Sequence, residues 1–270
     1  MKRSRKIIIW SVLIGYVVIA LVFARSSRKE VVCNGISVTI ADDDKYRFVK
    51  EKEILKLIER PEKSIIGSKL SKLDCSNIEQ RVYNHPAVKD AEVYTTIYGK
   101  LHIRITQRKP IIRISSKNNQ SYYIDSEGKP MPISENFSAQ TLFANGNIQE
   151  ALPLSKIKTF TTAGDTFKTA SHHIVFELYK LAIFIDNDDF WRNQIQQVFV
   201  NDKFEIEIIP TVGSQIILLG NADDLETKFA KLRSMYYAFN QIGWNKYSFI
   251  NLKYNNQIIC TKYMPHESEK

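Results

Sequence analysis

The residues able to do chemistry are few and scattered. Of five histidines only His172 and His173 are adjacent. Adjacent residues on a helix point to different faces, so this pair reads as surface rather than as a chelate. His85 precedes Pro86 and reads as a turn residue. Cys33, Cys75 and Cys260 are far apart, odd in number and without a CxxC pair. That spacing argues against a zinc cage and for small buried apolar side chains. The run Asp42-Asp43-Asp44 lacks the glycine and later glutamate of a calcium loop and reads as a solvated turn. Asp186-Asn187-Asp188-Asp189 fits no ligand spacing either and reads as the cap of a short helix at Phe190-Trp191. Nucleophile-elbow, dinucleotide, phosphate-loop and zinc-protease patterns do not occur in the sequence. The expectation is therefore no enzyme, no catalytic residue, no metal, no cofactor and no small-molecule substrate.

What remains is main-chain chemistry. The run Gln257, Ile258, Ile259, Cys260, Thr261, Lys262 lies near the C-terminus and carries one charge, on Lys262. A terminal strand often lies at a sheet edge, where unpaired N–H and C=O groups can pair with a partner strand. The competing reading, an internal strand or a covered edge, stays open at this level.

The elements around that run follow from periodicity. The 270 residues suit one or two domains, and 44% hydrophobic with 25% charged residues is ordinary for a globular chain. The net charge of +9 includes four basic and no acidic groups in the first 24 residues. The rest is only mildly basic and shows no Arg/Lys stripe with interleaved aromatics, which argues against nucleic acid.

Residues 1–6 are a basic tail. Residues 7–24, IIIWSVLIGYVVIALVFA, carry no charge and no polar face. As a helix they span about 27 Å, close to a hydrocarbon core of about 30 Å. A cleaved signal peptide is the competing reading, because Val22-Phe23-Ala24 resembles a cleavage site. The apolar run is longer than a usual signal core of about 7–15 residues, and Arg25, Arg28 and Lys29 follow at once. Both points favour an uncleaved helix in the lipid bilayer. Three basic residues beyond it nearly balance the four before it, so charge sets orientation only weakly. The six-residue tail leaves the body on the extracytoplasmic side.

In the body, Val31–Ile40 alternates as a strand. Lys50–Arg60 is a helix stopped by Pro61, and Cys75–Tyr83 a second one with Asp74 as N-cap. Ala91–Thr95 and Leu101–Ile105 follow as strands around Tyr98-Gly99-Lys100, giving the order β-α-α-β-β over residues 31–110. Residues 111–263 read as an antiparallel-sheet domain with two helices packed on it, making the whole α+β. Its strands are Ile111–Ile114, Tyr122–Ile124, Gln196–Val200, Phe204–Ile208, with Phe204 facing in, and Ser214–Leu219. Tyr247–Tyr254 and Gln257–Thr261 close it through a tight Asn255-Asn256 turn. Its helices are Thr169–Ile185 and one opened by an Asp223/Glu226 capping box. Pro130 and Pro132 mark an edge or irregular strand, residues 134–168 show no clear pattern, and 264–270 are a polar tail.

This order resembles the bacterial cell-division family FtsQ/DivIB. The resemblance rests on Val38, His85-Pro86-Ala87-Val88, Ala91-Glu92-Val93, Leu101–Ile105, Gln107-Arg108-Lys109-Pro110-Ile111 and Tyr122–Gly128. It continues in Pro210 with Gly213, Leu219-Gly220, Lys228–Leu232 and Phe249–Tyr254. Gln107 departs from the family's glutamate, and Gly99-Lys100 from its Trp-Pro. The resemblance implies a single-pass inner-membrane protein with a cytoplasmic N-terminus, a POTRA domain and a β domain in the periplasm, concentrated at the division site. It implies FtsB-like and FtsL-like partners, and docking on Tyr254, Gln257, Ile258, Ile259, Cys260, Thr261 and Lys262. An anchored POTRA-like chaperone or secretion accessory is the alternative.

Overall fold

The computed structural model describes residues 2–27, 31–59, 64–135, 137–149 and 170–263. Helix α1, Lys2–Ser27, is continuous through the uncharged run, and its side chains are described from Trp10 to Val22. Those large apolar side chains are exposed. Among the described residues no helix is long and apolar enough to cross a membrane.

The chain divides into two compact units, Met1–Gln107 and Arg108–Lys270. The first contains β1 (Gly35–Ala41), α2 (Glu51–Ile58), α3 (Cys75–Tyr83), β2 (Val88–Thr95) and β3 (Lys100–Gln107). The sheet order is β1-β3-β2, with β3 parallel to β1 and antiparallel to β2. Leu101, Ile103 and Ile105 point from central β3 into a core with Ile54, Ile58, Ile78 and Val82 of the two helices. Burying each such side chain contributes about 1.5–3 kcal/mol. Asp74 caps α3 by accepting from the Asn77 N–H at 3.0 Å, as expected from its type. Arg81 of α3 donates to the carbonyls of Leu57, Ile58 and Glu59, satisfying the C-terminal end of α2.

Gln107 explains one departure from the family pattern. Its Oε1 accepts from the Phe48 and Val49 N–H groups at 3.0 and 3.1 Å, and its Nε2 donates to the Tyr46 carbonyl at 2.6 Å. A carboxylate could accept twice but could not donate, so the amide fits this buried corner better. Gly99 explains another. It sits at φ +84 as the last of the four residues, 96–99, between β2 and β3, and a Cβ there would meet the Val32 carbonyl oxygen at 2.6 Å.

The second unit holds β4 (Pro110–Ser115), β5 (Ser121–Asp125), β6 (Pro130–Pro132), β7 (Leu142–Gly146), α4 (Ala170–Asp186), α5 (Asp189–Gln194) and β8 (Ile195–Val200). It continues with β9 (Ile206–Pro210), β10 (Ile216–Gly220), α6 (Leu225–Ile242), β11 (Tyr247–Asn251) and β12 (Ile259–Lys262). The nine strands form one sheet in the order β12-β11-β10-β9-β8-β7-β4-β5-β6. It is mixed rather than antiparallel: β4 with β7, β7 with β8, and β10 with β11 run parallel. The cause is connectivity. Helix α6 separates β10 from β11, and α4 with α5 separates β7 from β8, so both links are crossovers rather than hairpins. Strand β7 lies in the stretch where the sequence showed no pattern.

The core of this unit is one cluster. Leu225, Phe229, Leu232, Tyr236 and Phe239 form the buried stripe of α6. Trp191 of α5 meets the Phe229 and Tyr236 rings edge-on at 4.9 and 5.5 Å. Asp188 caps α5 by accepting from Phe190 and Trp191 N–H groups, and it also holds Arg233 at 2.7 Å. The aspartate run is thus a cap and an ion pair.

Three local expectations need correction. Phe204 is not an inward strand residue: it has φ +59 and is partly exposed. Asn201 sets that turn by accepting from the Lys203 and Glu205 N–H groups, which delays the strand to Ile206. Asp223 does not cap α6. It is drawn to Lys180 and Asn221, and Asp224 takes the N-cap position with φ +50 and no side-chain cap. Finally, β11 and β12 are not joined by a two-residue turn. Asn251 pairs with Ile259, leaving residues 252–258 as the loop.

The tail 264–270, most of the patternless stretch 134–168, and the end of the Lys50–Arg60 helix at Arg60 lie outside the described residues.

Candidate functional site

Strand β12 ends the nine-stranded sheet, and β11 is its neighbour on one side. Among the described residues no strand lies on its other flank. Which groups face that flank follows from the ladder. The Leu252 N–H donates across to the Leu218 carbonyl at 2.9 Å, so this residue turns its backbone toward β10. Its alternating neighbours Asn251 and Phe249 therefore face β12, opposite Ile259 and Thr261. The Cys260 and Lys262 backbone groups consequently point to the open side.

Side chains divide the other way. Ile258 and Cys260 pack against the core, while Ile259, Thr261 and Lys262 are exposed. Burial pushes the Cys260 thiol up from its ordinary value, and burial with the neighbouring Asp74 and Glu79 charges does the same to Cys75. A raised thiol carries little thiolate, which suits packing better than nucleophilic work. On the outer face Ile216 lies opposite Phe249, which lies opposite Thr261, in a row beside Ile259. Register placed Ile216 and Phe249 there. Their own periodicity could not show that they approach the terminal strand.

The loop before β12 is held from behind. Lys231 of α6 donates to the Leu252 and Tyr254 carbonyls at 3.1 and 2.7 Å. Tyr254, in that loop, and Gln257 are both exposed. The expected binding residues therefore adjoin one another, with Ile258 and Cys260 presenting backbone rather than side chain. Lys231 was missed by sequence reading, since a lysine on a helix carries no signal that it anchors a loop.

Two other edges are blunted. In β6, Pro130 and Pro132 lack N–H donors on either side of Met131. In β2, the Thr96 N–H donates to the Lys100 carbonyl, so the alternate residues Ala91 and Val93 face outward. The Val93 N–H donates to Glu79 of α3 at 3.0 Å, and the Ala91 N–H to Asp90 at 3.0 Å. Carboxylates thus occupy donors that a partner strand would need. The double variant Glu79→Ala/Asp90→Ala is expected to self-associate about tenfold more tightly through β2, at roughly one net hydrogen bond per freed donor. Sedimentation over a concentration series checks this, and an unchanged monomer would show that the carboxylates do not guard the edge.

Elsewhere, an open groove of about 300 Å³ gathers Glu205, Asn221, Lys228 and Lys253. Lys253 is paired with Glu205, and Lys228 donates to the Asn221 carbonyl and side-chain oxygens at 2.8 Å. Burial lowers the Lys228 ammonium below its ordinary range. Among the described residues no group of three or more His, Cys, Asp or Glu could hold a metal ion.

Comparison with known families matches both units. The POTRA-like domain family matches residues 31–106, and the family described as FtsQ/DivIB, C-terminal related, matches residues 109–261. No curated protein matches the chain. The second match alone takes in more than half of the 270 residues, so the chain belongs to the FtsQ/DivIB C-terminal-related family and carries a POTRA-like domain ahead of that region.

Proposed function

We propose that this protein is a non-enzymatic, membrane-anchored scaffold of the bacterial division machinery. In this reading residues 7–24 cross the inner membrane, the N-terminus is cytoplasmic and both folded units lie in the periplasm. The support is the uncharged 18-residue run in the sequence, lying within a continuous helix. The second unit recruits small coiled-coil division proteins of the FtsB and FtsL type by β-strand addition on β12, and so supports septal peptidoglycan synthesis. Main-chain bonds from Cys260 and Lys262 supply affinity, and the exposed Ile259 and Thr261 side chains supply selectivity. Confining both partners to one membrane raises their effective concentration.

The observation that carries this reading is the open flank of β12, on an otherwise blunted sheet, in a chain of this family. Depletion followed by microscopy tests it. Filamentous cells, with a fluorescent fusion at midcell, are expected. Normal division with a uniform envelope signal would instead favour an anchored chaperone or secretion accessory built on the POTRA-like unit.

A further inference from the structure

One end of the POTRA-like unit carries apolar side chains that are left exposed among the described residues. At the tip of the β2–β3 loop Ile97 is 68% exposed and Tyr98 78% exposed. Val32 and Ile66 are 47% and 56% exposed. These residues come from three separate segments that hydrogen bonds bring together. The Asn34 N–H donates to the Gly99 carbonyl and its Nδ2 to the Tyr98 carbonyl, at 2.8 and 2.9 Å. The Gly67 N–H donates to the Cys33 carbonyl at 2.7 Å, and the Cys33 N–H to the Ser68 carbonyl at 2.8 Å. Single exposed apolar residues are ordinary on any surface, but four at one end of a small domain need an occupant.

The path of the chain says which occupant. Val32 lies five residues beyond the end of the anchor helix: α1 ends at Ser27, and the described residues resume at Val31. Four peptide steps reach at most about 14 Å. The last uncharged residue of the run, Ala24, is less than one helical turn before Ser27. The tip is therefore tied within reach of the headgroup layer of any bilayer that residues 7–24 cross. Its chemistry suits that layer. Tyrosine carries an apolar ring with a polar end, Lys100 is exposed beside it, and the connecting sequence contributes Arg25, Arg28 and Lys29 against Glu30 alone. The opposite end of β1 carries the exposed acidic turn Asp42-Asp43-Asp44, which an anionic surface would repel.

We propose that Ile97 and Tyr98, with Val32 and Ile66, seat the POTRA-like unit on the periplasmic surface of the bilayer that its own helix crosses. The seat limits how far the unit swings on its short tether. This inference rests on the membrane-anchor reading above.

The test uses the full chain in vesicles of phosphatidylethanolamine and phosphatidylglycerol. Tyr98→Trp reports on the tip and Asp43→Trp on the far end, each as the difference from the parent chain. Lipids brominated near the top of the acyl chains are expected to quench the Trp at position 98 about twofold, as for an interfacial aromatic, and to leave position 43 unaffected. Flotation after an alkaline wash separates the two readings. If the chain floats and position 98 is not quenched, or both positions are quenched alike, the seat is wrong while the anchor stands. If the chain does not float, the anchor reading fails and the seat with it.

Discussion

Replacing Asp125 with Ala should cost the second unit about 3–5 kcal/mol, the range for removing one partner of a buried ion pair. The carboxylate meets Arg108 at 2.8 Å, and the two side chains are 2% and 6% exposed. Its other oxygen accepts from the Glu127 and Lys129 N–H groups at 2.9 and 2.7 Å, closing the turn that ends β5. Removal leaves a buried guanidinium whose remaining carboxylate partner is the half-exposed Glu127 at 3.3 Å. Two backbone donors lose their acceptor as well. Urea unfolding in detergent, followed through Trp191 and Trp244, measures the loss. The double variant Arg108→Met/Asp125→Leu tests the cause: with both charges gone, about half or more of the stability should return. A loss below about 1 kcal/mol for Asp125→Ala would mean that water or Glu127 already neutralises Arg108.

This ion pair also shows what can be read without coordinates. Arg108 and Asp125 belong to two sequence segments that marked the family resemblance separately, and the fold brings them into contact. Either segment alone says only that a polar residue sits near a strand end. Periodicity exposed the elements whose residues share one buried face: the α6 stripe of Leu225, Phe229, Leu232 and Tyr236, and the Leu101, Ile103, Ile105 alternation of β3. It failed where a side chain has a competing partner. Asp223 has the type and spacing of a cap, yet its carboxylate accepts from Asn221 and from Lys180, forty-odd residues away, instead. It failed again on direction. Alternation identifies a strand but not whether its neighbour runs parallel, and here the intervening helices decide that. The candidate site suffered most from register. An Asn-Asn pair fits a tight turn, but Leu252 is buried and bonded to β10, which lengthens the loop at the expense of both strands. A shift of one residue exchanges core and open faces along a strand. The terminal strand could therefore be located from sequence, while the facing of its individual residues could not.

That facing gives the second prediction its form. Cys260→Pro should weaken capture of an FtsB-like partner about tenfold or more while changing stability by less than about 1 kcal/mol. The Cys260 N–H points to the open flank, so proline there removes a donor that no strand among the described residues uses, and its ring obstructs an incoming strand. Ile259→Pro is the necessary contrast. The Ile259 backbone faces Asn251 of β11, so proline at that position breaks the sheet's own ladder and lowers stability and capture together. Ile259→Ser leaves both backbones intact and removes only an exposed apolar side chain, and it should reduce affinity by a smaller factor of about three to ten. Binding of the full chain to the partner in nanodiscs, paired with a melting curve for each variant, separates these effects. Capture surviving Cys260→Pro undiminished, in a protein that melts like the parent, would place the docking surface elsewhere. Capture lost only in proportion to stability would make β12 a structural edge rather than a recognition strand. The discriminating result is the contrast between neighbours: Cys260→Pro must weaken capture while sparing the fold, whereas Ile259→Pro lowers both, because adjacent residues of an edge strand present their donors to opposite sides.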